Sequence, residues 1–319
     1  MSVLVLVEHD RGSLSSATLE ALAAARAVGG EVHALSLGAA ADGLTATLAA
    51  HGAAVVHQVH HDVLVDYGPE AWGEALAHAV RSLQPDAVVA CGTDRGNEVV
   101  AQAAARLDLP MVANCIEVTP GGDTWNIVRV RWGGSLLEQC TLTATTKLLT
   151  FAHHAVEAAE SSAAGTASML AVDLDASLAR TVVADRVERA AGVTLATAPL
   201  VVGGGRGVGS AEGFAPLEEL AALLGGVVGC SRAVTNNGWR NHTDQVGQTG
   251  TRIAPDLYMA CGISGAIQHW VGAMASKKIL AINTDPEANM VTKADYAVIG
   301  DLHKVIPAVA AEIRRRKGA

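Results

Sequence analysis

The feature that most constrains this chain is an alternation, run twice along its length, of short apolar stretches with longer alanine-rich ones. Residues 3–7, 31–37, 54–59, 87–91 and 111–118 have the length and composition of buried strands. Between them, helices are expected from just after Ser13 to Gly29-Gly30, over 44–50, from Pro69 to Leu83 and over 97–107. The glycine pair is an ordinary helix stop, and Pro69 suits a first helical turn. A strand that returns to its sheet through a helix returns parallel to its predecessor, so the pattern predicts a mostly parallel sheet with helices on both faces.

The rhythm then changes. Residues 125–132, 136–143 and 147–151 read as three strands with a Gly133-Gly134 turn between the first two and no helix-length pattern between any of them. Together they predict an antiparallel extension. A small, polar loop (155–166), a further strand (168–173) and a helix (180–189) lead to a linker, placing a domain boundary between 192 and 193. After it the βα alternation restarts, with strands at 200–202, 227–228, 257–261, 279–282 and 296–299. Helices are expected from Pro216, from near Ser264 and from near Asp301. The fold class expected is α/β in two domains. Residues 1–192 form a mostly parallel sheet with an antiparallel extension, and 193–319 a Rossmann-like doubly wound domain.

Composition excludes several functions. The net charge of −9 argues against nucleic acid, whose phosphates require a basic face. The five cysteines (Cys91, Cys115, Cys140, Cys230 and Cys261) include no CxxC pair, which disfavours a disulfide framework or a zinc knuckle. The apolar run at the start is too short for a signal or a membrane span, so a cytoplasmic protein is expected. The histidines of 57–61 and the His153-His154 pair lack matching ligand spacing and read as a solvated edge, with no metal expected.

Residues 229–269 concentrate the polar chemistry. Apolar strands there run straight into Cys230-Ser231-Arg232 and into Gly262-Ile263-Ser264-Gly265, and loops at the carboxyl ends of parallel strands are where ligands sit. Between them, Val246-Gly247-Gln248-Thr249-Gly250 offers glycines for close backbone approach and an amide and a hydroxyl for hydrogen bonding. The glycine loop at 203–209 lacks GxGxxG spacing, and the next strand ends at Cys230-Ser231-Arg232 rather than in a ribose-binding acid. Nicotinamide binding is therefore disfavoured. A tight turn would explain those glycines but not the central Arg206, whose planar guanidinium suits a phosphate. Ser264-Gly265-Ala266 should open a helix, with His269 on the same face as Gly265. Capping alone would account for Ser264 and for Asp301, and an arginine such as Arg232 most often ends in a surface ion pair.

Five blocks in order carry a family resemblance: GGRG (204–207), SRA (231–233), VGQTG (246–250), ISGAIQH (263–269) and AINTDPEA (281–288). They are similar to the carboxyl-terminal domain of the electron-transfer flavoprotein alpha subunit. Residues 1–192 match more loosely, in element order and in phrases such as VLVLVEHDRG (3–12). The resemblance implies one FAD, with Arg206 on its diphosphate and Ser264, Gly265, Ala266, Ile267 and Gln268 along the ribityl and phosphate path. Asn283, Asp301 and Leu302 would stand around the adenosine end. Arg232, Gln248, Thr249 and His269 would stand at the flavin ring, with Arg232, Thr249 and His269 tuning its redox behaviour, and Ser231, Val246 and Gly247 would also bind the cofactor.

The resemblance also implies a heterodimer with a beta subunit, in which 1–192 makes the contact. Electrons would arrive from flavin dehydrogenases and leave to a quinone oxidoreductase or another acceptor. Rival readings are a bifurcating or specialised complex oxidising NADH, and a non-redox nucleotide-binding module. Two positions depart from the family pattern. Asn241 stands where a proline is common, and Trp132-Gly133-Gly134-Ser135 replaces a tyrosine–alanine–glycine–asparagine phrase.

Overall fold

A computed structural model describes residues 1–134, 136–185 and 193–318. The chain divides into two compact units, one built on a nine-stranded sheet and one on a five-stranded sheet. The boundary expected at 192/193 touches the segment 186–192 and lies outside the described residues.

In the first unit, β1 (Ser2–Leu6) is buried along nearly its whole length and leads into a two-stranded ribbon, β2 (His9–Asp10) with β3 (Ser13–Leu14). Then come α1 (Ser16–Val28), β4 (Glu31–Leu37), α2 (Thr45–Ala50), β5 (Val55–Val59), α3 (Pro69–Leu83), β6 (Ala87–Cys91), α4 (Asp94–Leu107) and β7 (Met111–Thr119). The strand–helix alternation is the one expected from the apolar runs. Thr93 caps α4, its side chain accepting from the Gly96 N–H, so the helix starts three residues before the expected 97.

β8 (Thr124–Arg131) pairs antiparallel with β7 and with β9 (Leu136–Thr143), as expected of an extension. β10 (Lys147–Phe151) does not join them. It lies between β6 and β7, parallel to both, in the order β11-β5-β4-β1-β6-β10-β7-β8-β9. All five of its residues are buried, whereas β8 and β9 alternate or are exposed. A strand covered on both faces usually reads as a continuous apolar run, and Lys147 and Thr150 interrupt that signal in β10, so its local pattern does not separate it from its neighbours.

The further strand, β11 (Thr166–Met169), pairs parallel with β5 and begins two residues before the expected 168. The helix expected over 180–189 is not found in its described part, since 180–185 form no helix, while 186–189 lie outside the described residues. Nor do all the histidines form a solvated edge: His57 is 7% exposed, beneath His33.

The second unit runs β12 (Leu200–Gly204), α5 (Ala215–Leu224), β13 (Val227–Cys230), α6 (Arg232–Asn236), β14 (Leu257–Cys261), α7 (Ile267–Ala273), β15 (Ile279–Asn283), α8 (Asn289–Lys293), β16 (Tyr296–Ile299) and α9 (Leu302–Lys317). All its pairings are parallel, in the order β13-β12-β14-β15-β16. Its winding reverses between β12 and β14. Two apolar clusters flank the sheet, one including Phe214, Leu217 and Ile306, the other Val246, Tyr258 and Met290. No helix among the described residues is long and apolar enough to cross a membrane.

Candidate functional site

The carboxyl ends of all five strands of the second sheet converge on one cavity of about 590 Å³, within the range of roughly 300–1,000 Å³ usual for ligand pockets. Arg206 follows β12, Ser231 and Arg232 follow β13, and Ser264, Gly265 and Ala266 follow β14. Asn283 ends β15, and Asp301 and Leu302 follow β16. The reversal between β12 and β14 is what parts the loops there and leaves room for a ligand.

Backbone hydrogen bonds carry the sheet ladder into these loops. Gly205 N–H donates to Cys261 O at 2.9 Å, Gly207 N–H to Gly262 O at 3.1 Å, and Ser231 N–H to Gly204 O at 3.0 Å. Gly262 needs its lack of a side chain: φ is +64°, and a Cβ would stand 2.7 Å from Leu302 and 2.9 Å from the Gly207 backbone. The Arg206 loop and the loop after β14 can therefore touch only as glycine against glycine, which brings Arg206 to the cavity wall.

The loop after β14 departs from expectation. The helix expected near Ser264 begins three residues later: α7 opens at Ile267 with Ala266 at its cap position, and Ser264 makes no capping bond. Gly265 has φ +79°, and a Cβ on it would meet the Met290 backbone nitrogen at 2.4 Å. The chain thus turns left-handed before α7 can start, held by Met290 N–H donating to Ser264 O at 3.1 Å. Gly265 and His269 consequently do not share a helix face.

Arg206 and Arg232 are both exposed on the cavity wall, and neither pairs with a carboxylate among the described residues. Arg232 opens α6 rather than ending in an ion pair. The two acids of the wall are held by backbone: Asp301 accepts from His303 N–H at 2.9 Å and caps α9, and Asp285 accepts from Glu287 N–H at 2.9 Å. Asn283 ties two loops together, donating to Ile263 O at 3.1 Å and accepting from Asp285 N–H at 3.2 Å.

His269 is buried in the wall, and its Nε2 lies 2.7 Å from the Tyr258 hydroxyl. Burial lowers its pKa to about 4, with the Val246 backbone opposing in part. Tyr258 is fully buried, and the same desolvation raises its phenol well above its ordinary value. A buried phenol must place its proton on an acceptor, and Nε2 is the acceptor at hand, so the proton of the neutral imidazole rests on Nδ1. That Nδ1 is buried with no hydrogen-bond partner of good geometry.

Five of the candidate residues stand beside the cavity rather than on its wall. Val246 is 1% exposed in the core, Gly247 bonds Thr251 O, Gln248 and Thr249 are exposed, and Ile267 faces outward at 43% exposure. Gln248 N–H donates to Gln268 O at 2.8 Å and so fixes this loop against the segment bearing His269. Sequence reasoning missed Gln245, which is 2% exposed and bridges Thr235 Oγ1 (2.7 Å) to Thr249 Oγ1 (2.9 Å). It missed Tyr258 as well. The only available signal was a tyrosine inside an otherwise apolar strand, since a buried phenol needs a partner.

A five-stranded parallel sheet wound second-first-third, with a cavity at its reversal, defines a doubly wound nucleotide-binding domain. The electron transfer flavoprotein FAD-binding domain matches residues 194–274, and the electron transfer flavoprotein domain matches residues 3–177. The chain is 35% identical over 316 residues to the electron transfer flavoprotein subunit alpha of Bacillus subtilis, covering 98% of this chain and 97% of that one. It is 39% identical over 321 residues to the subunit alpha of Mycobacterium tuberculosis, covering 99% of each. Against a probable mitochondrial subunit alpha of Caenorhabditis elegans it is 34% identical over 314 residues, 98% of this chain and 93% of that one. The chain belongs to the electron transfer flavoprotein alpha subunit family, and its cofactor is FAD.

The cavity fits such a cofactor. It is of ligand size, two guanidinium groups without a carboxylate partner among the described residues stand on its wall, and one wall imidazole carries a buried nitrogen with no hydrogen-bond partner of good geometry.

Proposed function

We propose that residues 193–319 hold FAD in the cavity at the sheet reversal, and that 1–192 supply the contact with a beta subunit. Electrons enter from flavin dehydrogenases and leave to a quinone oxidoreductase or another acceptor. Bound FAD supplies the reversible gain and loss of electrons. The chain's own residues bind and orient it and set how readily it takes charge.

In this reading Arg206 grips the diphosphate through a charge-assisted, two-pronged contact. Ser264, Gly265, Ala266, Ile267 and Gln268 follow the ribityl and phosphate path, and Asn283, Asp301 and Leu302 receive the adenosine end. Ser231, Arg232, Val246, Gly247, Gln248, Thr249 and His269 surround the ring. Arg232 stabilises negative charge there with its guanidinium, and His269 remains neutral, its proton held on Nδ1 by the Tyr258 hydroxyl.

The observation that carries the reading is the convergence of all five strand ends on one cavity, together with two arginines that have no carboxylate partner among the described residues. Arg206→Ala removes one charge-assisted contact and should weaken FAD retention by about 1.5–3 kcal/mol, roughly 10–150-fold in Kd. Equilibrium dialysis of the flavin measures it, and unchanged affinity would overturn the assignment of Arg206.

A further inference from the structure

The sheet of the first unit also reverses its winding, between β1 and β6, with β4 and β5 on one side and β10 and β7 on the other. A cluster of ligating side chains lies at that reversal. Cys91 is the last residue of β6 and pairs with Phe151, the last residue of β10. His153 and His154 follow after Ala152, and Glu20 reaches in from α1. These residues are far apart in sequence, so no ligand spacing along the chain could reveal them as a group.

The geometry is close. Glu20 Oε1 lies 3.4 Å from His153 Nε2 and 3.1 Å from His154 Nδ1. Glu20 Oε2 lies 3.9 Å from Cys91 Sγ and accepts from the His154 backbone N–H at 2.7 Å. One ligand atom each from Glu20, Cys91 and His153 lies within 4.8 Å of the other two. A tetrahedral ion with bonds of about 2.0–2.3 Å has ligand-to-ligand edges of about 3.3–3.8 Å. Small rotamer changes would therefore bring the three atoms onto one coordination sphere. The two imidazoles stack with centroids 3.6 Å apart, which restrains both rings.

A carboxylate between two histidines could be a plain ion pair. The Cys91 thiol adds a weak S–H donor to Glu20 Oε2, so a thiol, an imidazole and a carboxylate converge on one point, which an ion pair by itself does not require. We propose that Glu20, Cys91 and His153 form a site for one zinc-type divalent ion, with His154 orienting the Glu20 carboxylate and the fourth position left open to water or a further ligand. A set of one sulfur, one imidazole and one carboxylate suits a borderline-soft transition metal and not magnesium or calcium. On binding, the Cys91 thiol gives its proton to solvent and a thiolate–metal bond forms, with no change of oxidation state. Burial first, then the carboxylates of Glu20 and Glu8, push the Cys91 thiol up and keep it protonated, with the Gly92 and Thr93 backbone opposing in part, until a dication offsets them.

The test uses the full chain with its FAD, stripped with a chelator, reloaded with Zn²⁺ and dialysed against metal-free buffer. Zinc is counted by mass spectrometry, and its neighbours are read from the zinc K-edge absorption fine structure. The expected result is one zinc per chain with a sulfur neighbour at about 2.3 Å. Cys91→Ser should remove the sulfur shell and weaken binding at least about tenfold, as should His153→Gln, with the flavin spectrum unchanged in both. His60→Ala, which alters an exposed imidazole elsewhere, should change nothing. Absence of zinc, zinc without a sulfur neighbour, or a sulfur shell that survives in Cys91→Ser overturns the proposal. If Cys91→Ser does not fold, His153→Gln decides alone: a tenfold loss of affinity supports the site, and unchanged affinity sinks it.

Discussion

His269 is kept neutral by burial and not by a neighbouring charge, and this makes stability depend on pH with a definite sign. Its folded pKa of about 4 lies below the ordinary histidine value near 6.5. As pH falls between those values the unfolded chain takes up a proton that the folded chain refuses, so stability is lost. The contribution is complete above about pH 6.5 and amounts to about 2 kcal/mol between pH 7 and pH 5. His9 and His57, both also lowered by burial, act in the same direction. Urea midpoints at pH 7 and pH 5 should fall less steeply in His269→Gln than in the parent, and parallel losses would show that His269 titrates normally. Arg232 tests the same wall by charge. Arg232→Lys keeps the charge but loses the planar fork and should lower the flavin reduction potential modestly, whereas Arg232→Ala should lower it further. Equal potentials in all three proteins would leave Arg232 a structural residue only.

Among the elements, β10 shows how far local pattern reaches. Its run from Lys147 to Phe151 was legible as a strand, but its place was not, because 147–151 follow two antiparallel strands with only a short connection. Position in the sheet is settled by which faces are covered, and β10 is covered on both. Leu148 is fully buried within the core, while Leu137, on β9, is 67% exposed. Leu148→Ala should therefore cost about 2–5 kcal/mol in chemical denaturation. Leu137→Ala should stay within about 0.5 kcal/mol. Similar losses in the two would place β10 back in the extension. The start of α7 was misread for a related reason. Ser264 has the chemistry of a cap, but the close packing of Gly265 on the Met290 backbone turns the chain left-handed and delays the helix.

For the molecule as a whole, the ribbon of β8 and β9 carries exposed Leu136 and Leu137. Exposed apolar side chains on an edge ribbon suit a partner surface. Co-expression with the beta subunit should give a one-to-one complex by size exclusion with light scattering, and Leu137→Asp should weaken it without changing the FAD spectrum. A chain that remains alone in the presence of that subunit would contradict the assembly proposed for residues 1–192.

The sequence by itself determined the alternation of strands and helices, two sheets, and the polar blocks from Arg206 to Leu302, because each depends on neighbours a few residues away: apolar period, turn glycines, caps. Only the tertiary structure decided where β10 inserts, that Tyr258 holds the proton of His269 on Nδ1, that Gln245 bridges Thr235 and Thr249, and that Glu20, Cys91 and His153 meet. Those are contacts between segments distant in the chain. They follow from how buried faces pack and how buried polar atoms find partners, and no local pattern of residues encodes either.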